Sequence, residues 1–273
     1  MTTSGSEAEV SLNFFSFPPK KSTANSQSEQ WMKCFIVLPC YNEEKNIKPL
    51  IYSIDQVLRP HVPYKIIVVN DGSRDRTDEV LKDLSADYPV EVLEHFTNMG
   101  LGAALKTGLL TAAEEAFDED FIVVMDSDNT HDPKHVLDMM AAAKTASIVI
   151  GSRYVEGGGQ LNVPLHRVIL SKAINVLVRR LFQLSVKDAT SGFRCFRAGL
   201  LKRVRDSSAN GMVESTGFVA SLELLLKAVR SGGILAEVPI FLDYGKKGGR
   251  SKMRLFSTVF SYLALLLKYR KIE

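Results

Sequence analysis

The 273-residue sequence contains only three cysteines, Cys34, Cys40 and Cys195, an odd number without metal-ligand spacing. A disulfide framework is therefore disfavoured, and a reducing cytosolic setting fits. No uninterrupted apolar run reaches the roughly 18 residues of a spanning helix. The run Phe14-Phe15-Ser16-Phe17 is far too short for the core of a signal peptide, so membrane spanning and export are both disfavoured. The formal charge of +3 is too small to imply a nucleic-acid partner. Mean hydropathy near zero argues against a polytopic membrane protein. With 45% hydrophobic and 24% charged residues the composition is that of a folded domain. The length suits one large α/β domain, with or without a C-terminal appendage.

Residues 1–32, rich in Ser, Thr, Gln and Asn, are expected to form a flexible tail. Beyond them short apolar runs alternate with helical stretches. Cys34 to Leu38 reads as a buried strand ended by Pro39, with a helix starting near Glu43. Lys65 to Val69 reads as a second strand, followed by the turn Asn70-Asp71-Gly72-Ser73 and a helix from Thr77 to Leu84. A third strand is expected at Val90 to Glu94, and a helix through Leu110 after the loop Asn98 to Gly102. Further strands are expected at Phe121 to Met125 and Ser147 to Gly151, with a helix near Pro133 to Ala143 between them. This alternation predicts a mainly parallel sheet with helices on both faces, in which ligands bind beyond the carboxyl ends of the strands. Val163 to Leu184 has helical apolar spacing interleaved with Arg167, Lys172, Arg179 and Arg180. Phe256 to Leu267 is apolar and precedes Lys268, Arg270 and Lys271, which suits a helix lying in a membrane interface.

The strand ends carry the chemistry. Asp126 and Asp128, one residue apart after an apolar strand, repel each other unless they share a cation. Mg²⁺ or Mn²⁺ suits them, because both take oxygen ligands and bridge carboxylates to a diphosphate. An isolated Asp-x-Asp is more often a pair of solvated loop aspartates, but here Asp71 ends another strand at the same expected rim. Asp71 could instead cap the turn or helix that follows it. Tyr41 can stack on a base, whereas Pro39 can simply end its strand. Lys246, Lys247, Arg250, Lys252 and Arg254 crowd into nine residues with glycines between them. That spacing suits a mobile loop closing over phosphate, or a merely solvated basic loop.

Taken in order, Pro39-Cys40-Tyr41-Asn42-Glu43-Glu44-Lys45-Asn46-Ile47, Val68 to Ser73, Asn98 to Gly102 with Gly108, and Met125-Asp126-Ser127-Asp128 resemble the motifs of inverting family 2 glycosyltransferases with a GT-A fold. Gly151-Ser152-Arg153-Tyr154, Arg167 with Ser171, Asp188 to Arg194, and Glu237 to Ile240 with Gly249-Arg250-Ser251-Lys252 resemble the dolichol-phosphate mannose synthases and dolichyl-phosphate glucosyltransferases. The resemblance runs from about residue 34 to 255. It implies a GT-A domain over 33–255, which leaves the apolar run and its cations as a C-terminal amphipathic, membrane-associated segment over 256–273.

By position the resemblance implies that Pro39, Tyr41, Glu43, Asp71, Asp126, Ser127 and Asp128 bind a GDP- or UDP-hexose. Asp126, Asp128 and Thr130 would hold Mg²⁺ or Mn²⁺, and Arg153, Arg167, Ser171, Arg250 and Lys252 would receive a polyprenyl phosphate. Asp128, Arg153 and Arg250 would carry the catalysis. The expected setting is the cytoplasmic face of a membrane, or the cytoplasm, with or without a separate membrane-anchoring subunit as a partner. Asn70 stands where many relatives have Asp, and Thr130 where some have Gln. Two other readings remain open: a family 2 enzyme using a sugar or small-molecule hydroxyl, which wants a carboxylate base, and a non-catalytic nucleotide-binding scaffold. The Gln-x-x-Arg-Trp motif of processive synthases is absent, since the one tryptophan is Trp31.

Overall fold

A computed structural model describes residues 32–209, 211–246 and 255–270, the last stretch with side chains from Phe260 onward. The expected flexible tail therefore lies outside the described residues except at Met32, as do Arg250, Lys252 and most of the basic loop. The elements follow as β1 (Cys34–Cys40), α1 (Ile47–Leu58), β2 (Tyr64–Asp71), α2 (Thr77–Asp87), β3 (Val90–His95), α3 (Leu101–Glu115), β4 (Phe121–Val124), α4 (His135–Ala142) and β5 (Ile148–Ser152). Then come β6 (Gly159–Leu161), α5 (Leu165–Phe182), β7 (Arg194–Arg197), α6 (Ala198–Ser207), α7 (Ala220–Arg230), β8 (Leu235–Pro239), β9 (Phe241–Asp243), a 3-10 turn at Tyr244–Lys246, and α8 (Leu255–Arg270).

Seven strands form one sheet in the order β3-β2-β1-β4-β7-β5-β8, and β6 pairs with β9 in a small second sheet. All pairings are parallel except those of β7, which runs antiparallel between β4 and β5. The expected mainly parallel sheet is thus present, with one reversed strand. Its central strands read as unbroken apolar runs because alternate side chains feed different cores. Phe35 and Val37 join the core under α3, α7 and α8, whereas Cys34, Ile36 and Leu38 join the core under α1 and α4. The three cysteines are free and buried. Burial raises the Cys34 thiol well above its ordinary value and pushes Cys195 up to about 12, so both pack as small hydrophobes and not as nucleophiles.

The first helix begins later than the sequence pattern suggests. Asn42 adopts φ 52°, a conformation asparagine tolerates, and its side-chain oxygen accepts the Arg74 N–H at 2.7 Å. Its own N–H donates to Ser73 Oγ at 2.9 Å, and the Glu43 N–H donates to Thr77 Oγ1 at 2.8 Å. These bonds hold the residues after β1 as a loop tied to the turn after β2.

The C-terminal helix is amphipathic in the ordinary globular sense. Tyr262, Leu265, Leu266 and Tyr269, spaced i, i+3, i+4 and i+7, are buried, while Phe260, Leu263 and Leu267 are exposed. One face of α8 is therefore core, and it packs against α5. No described helix is long and apolar enough to cross a membrane.

Candidate active site

Strands β1, β2, β4 and β5 end at one rim of the sheet, and the reversed strand β7 begins there. The ends of these strands, segments that follow them and the segment preceding β7 consequently converge on one cavity of about 620 Å³. Its wall includes Pro39, Tyr41, Glu43, Asp71, Asp126, Ser127, Asp128 and Thr130, and also Arg153, Arg167 and Ser171. Every site residue expected from sequence and lying among the described residues borders this one space.

Asp71 is buried, and its role is partly structural. Its carboxylate accepts the Met99 and Gly100 N–H groups at 2.9 and 2.8 Å, just before α3 begins, and meets His95 Nδ1 at 2.7 Å. It thus ties down the loop leading into α3, not the turn that follows it in sequence. Gly100 takes φ 92°, a conformation that glycine adopts without strain. The acidic turn is equally braced. Ser127 Oγ donates to the Pro39 carbonyl at 2.8 Å, Asn129 Nδ2 donates to the Asn46 carbonyl at 3.0 Å, and Asn129 itself sits at φ 63°. Thr130 donates to Asp128 Oδ1 from its N–H at 3.2 Å and from its hydroxyl at 2.6 Å. His131 Nδ1 accepts the Asp126 N–H at 3.1 Å while its ring stacks on Phe193 at 4.8 Å between centroids. The histidine is a buried brace for Asp126, in keeping with a turn residue.

The opposite wall is built around Arg153, which forms a fork with the fully buried Asp188: Nε meets Oδ2 and Nη2 meets Oδ1, each at 2.7 Å. Burial alone would lower the guanidinium pKa, but the bonds and charge of Asp188 raise it. Burial would raise the Asp188 carboxyl, and the same bonds hold it below the ordinary range. Nη2 also reaches Ser171 Oγ and Thr190 Oγ1 at 3.2 Å, and Tyr154 OH meets Ser171 Oγ at 3.1 Å. Asn175 closes the network, donating to Thr190 Oγ1 and accepting the Thr190 N–H, both at 3.1 Å. Arg167 Nη1 reaches Tyr244 OH at 3.4 Å.

Asp188 stands in a stretch that the resemblance marks, but it lies 35 positions from Arg153 and nothing in the spacing pairs them. Other residues, in the wall itself, carried no readable signal. Tyr262 comes from the apolar C-terminal run, and Thr216, Gly217 and Phe218 from a segment without a motif. Their closeness depends on glycines: a Cβ on Gly102 would stand 1.7 Å from the Ser215 carbonyl oxygen, and the Gly102 N–H donates to the Thr216 carbonyl at 3.0 Å. Gly102→Ala would gain about 1 kcal/mol of helix propensity. The backbone clash outweighs this gain, and a net destabilisation of roughly 1–3 kcal/mol is expected in chemical denaturation. An unchanged midpoint would show that the wall is not packed this closely.

Among the described residues no group of three or more His, Cys, Asp or Glu side chains could hold a metal. The acidic turn offers two carboxylates, the number with which Mg²⁺-type sites are completed by substrate phosphates and water. The oxygen donor set therefore fits a divalent ion that arrives with a diphosphate.

The glycosyl transferase family 2 model matches residues 35–205. A dolichol-phosphate mannosyltransferase of Pyrococcus furiosus is 34% identical over 246 residues, covering 89% of this chain, which spans 65% of that relative's length. An undecaprenyl-phosphate mannosyltransferase of Micrococcus luteus is 34% identical over 81% of this chain and 88% of its own. A polyprenol monophosphomannose synthase of Mycolicibacterium smegmatis is also 34% identical, over 76% of each chain. Among solved structures, glucosyl-3-phosphoglycerate synthase of Mycobacterium tuberculosis, in complex with Mn²⁺, UDP and phosphoglyceric acid, superposes with a TM-score of 0.63 at 19% identity. The match covers 88% of this chain and 78% of that one, a likeness of fold.

Proposed function

The chain belongs to glycosyl transferase family 2, and from that premise we propose that it moves a hexose, mannose or glucose, from a GDP- or UDP-sugar to a polyprenyl phosphate with inversion. The observation that carries this reading is the division of the cavity wall. Its carboxylates, Glu43, Asp71, Asp126 and Asp128, come from the strand ends β1, β2 and β4. The other wall offers Arg153, Arg167, Ser171, Thr190 and Tyr244, with no carboxylate among the described lining residues. A neutral hydroxyl acceptor would need a base on that wall, whereas a phosphate monoester is already anionic and needs cations to hold it.

Pro39, Tyr41, Glu43 and Asp71 would seat the nucleoside, and Asp126, Ser127 and Asp128 the diphosphate. Asp126 and Asp128 would hold Mg²⁺ or Mn²⁺. Thr130, whose hydroxyl proton goes to Asp128, offers a lone pair as the third protein ligand. When bound, the ion supplies charge compensation for the departing nucleoside diphosphate. Arg153, held in one orientation by Asp188, directs its remaining N–H groups at the acceptor phosphate beside Ser171 and Arg167, with Arg250 and Lys252 as further cations. An acceptor phosphate oxygen then forms the new bond to the anomeric carbon, the bond from that carbon to the diphosphate oxygen breaks, and its electron pair leaves with the nucleoside diphosphate. Alignment and electrostatics do most of the work.

The names of the three relatives, two mannosyltransferases and one monophosphomannose synthase, and the Mn²⁺ and UDP of the structural neighbour support the lipid-phosphate acceptor and the divalent ion. Helix α5 carries Arg167 and Ser171 toward the cavity and exposes Leu165 (72%), Ile169 (60%) and Val176 (48%), flanked by Lys172, Arg179 and Arg180. Together with Phe260, Leu263 and Leu267 of α8, this suits the headgroup region of a cytoplasmic membrane face, with or without an anchoring subunit. Transfer from GDP- and UDP-hexoses to a polyprenyl phosphate, compared with neutral sugar acceptors, tests the reading. Arg250→Ala is expected to lower lipid-phosphate transfer by about 100-fold with nucleotide affinity kept. Unchanged transfer removes Arg250 from the acceptor site, and transfer to neutral sugars alone removes the lipid phosphate.

A further inference from the structure

Glu223, on α7, is fully buried and takes no part in the chemistry above. A buried carboxylate is retained where donors surround it, and here they come from three separate pieces of chain. The Glu214 and Ser215 N–H groups donate to it at 3.1 and 2.7 Å, Lys227 Nζ stands at 3.0 Å, and Tyr269 OH donates at 3.3 Å. Burial would raise its pKa, but the bonds from Ser215 and Lys227 lower it, so it stays ionised. Lys268 Nζ ties α8 to the same segment through Glu214 Oε2 at 2.9 Å, and Arg230 donates to the Tyr269 carbonyl at 2.8 Å.

The segment held in this way runs directly into a wall of the cavity, which Thr216, Gly217 and Phe218 line. The Thr216 carbonyl accepts the Gly102 N–H, and Ser215 and Thr216 press on Gly102 and Gly100, the latter gripped by Asp71. One chain of contacts therefore runs from Tyr269 and Lys268 on α8, through Glu223 and the Glu214–Thr216 segment, to the loop that Asp71 organises. We propose that Glu223 is a positioning residue for the nucleoside-diphosphate site, fixing the Glu214–Thr216 segment in its binding shape and making that shape depend on the seating of α8. The ligand class rests on the glycosyl-transfer reading; the latch itself does not. A site competent for only a fraction of the time binds more weakly by that fraction, so loosening the latch raises donor Kd while chemistry on bound donor continues.

The test uses the full chain with Glu223→Gln and Tyr269→Phe. GDP and UDP binding with Mn²⁺ is measured by calorimetry, transfer by steady-state kinetics, and amide exchange over residues 98–102 and 213–218 without ligand. Glu223→Gln is expected to weaken nucleotide binding about tenfold and Tyr269→Phe about threefold, with kcat at saturating donor within about twofold. Exchange should quicken in those two segments and not across the central strands. A merely stabilising role would leave the nucleotide Kd of the folded protein and the two segments unchanged, and that result overturns the proposal. Faster exchange confined to the two segments with unaltered Kd overturns the link to the donor site. A wild-type chain binding neither nucleotide sinks the glycosyl-transfer reading and the ligand assigned here, while the exchange pattern still decides the latch.

Discussion

Asp128→Asn is expected to abolish sugar transfer, by at least about 10³-fold or ~4 kcal/mol of transition-state stabilisation, while the protein stays folded. The substitution separates charge from structure. Asp128 Oδ1 accepts both Thr130 donors, and an asparagine oxygen at the same place accepts both as well. The Asn129 bond to Asn46 and the Ser127 bond to Pro39 do not involve the altered group, so the turn keeps its shape. What disappears is half of the negative charge offered to a divalent ion. Nucleotide binding should then lose its dependence on Mn²⁺, which calorimetry with and without the ion measures apart from activity. Full ion-dependent transfer by this variant would remove the acidic turn from the mechanism.

Asp188→Ala carries the largest expected effect on stability. Asp188 is fully buried, and Arg153, with 15% of its side chain exposed, is joined to it by three hydrogen bonds. Removing the carboxylate leaves a desolvated guanidinium without its counter-ion, a loss of roughly 3–5 kcal/mol and a fall in Tm on the order of 10 °C. The double variant Arg153→Met with Asp188→Ala removes both charges and should regain most of that stability. It should stay inactive if Arg153 meets the acceptor phosphate. Recovery of both would reduce the pair to packing, and equal instability of single and double variants would deny the buried-charge account. The pair also sets a pH dependence. The folded Asp188 value lies below its ordinary 3.8, so its contribution is complete above about pH 4 and is lost as pH falls through the depressed value. Glu214, lowered to about 2 by Lys227 and Lys268, acts in the same direction between its ordinary 4.5 and that value. Acid titration of wild type should show stability declining across this window, and the double variant should decline less.

The alternation of short apolar runs with helical stretches was enough to determine a parallel sheet, because runs buried on both faces and joined by helices have few other ways to cover themselves. The same rule assigned Tyr41, Asp71 and the Asp126–Asp128 turn to one rim, since parallel strands bring their carboxyl ends together. Tertiary structure alone decided what that rule cannot reach. Strand β7 runs backwards, so the segment that enters it, Asp188 to Phe193, arrives at the rim and supplies the partner of Arg153. Asp71 spends its carboxylate on Met99 and Gly100, and Glu223 gathers donors from segments up to 46 positions away. Periodicity and spacing record what a residue does within its own element. Which distant backbone amide or buried cation meets a given carboxylate is set by the packing of the whole chain, and no local pattern encodes it.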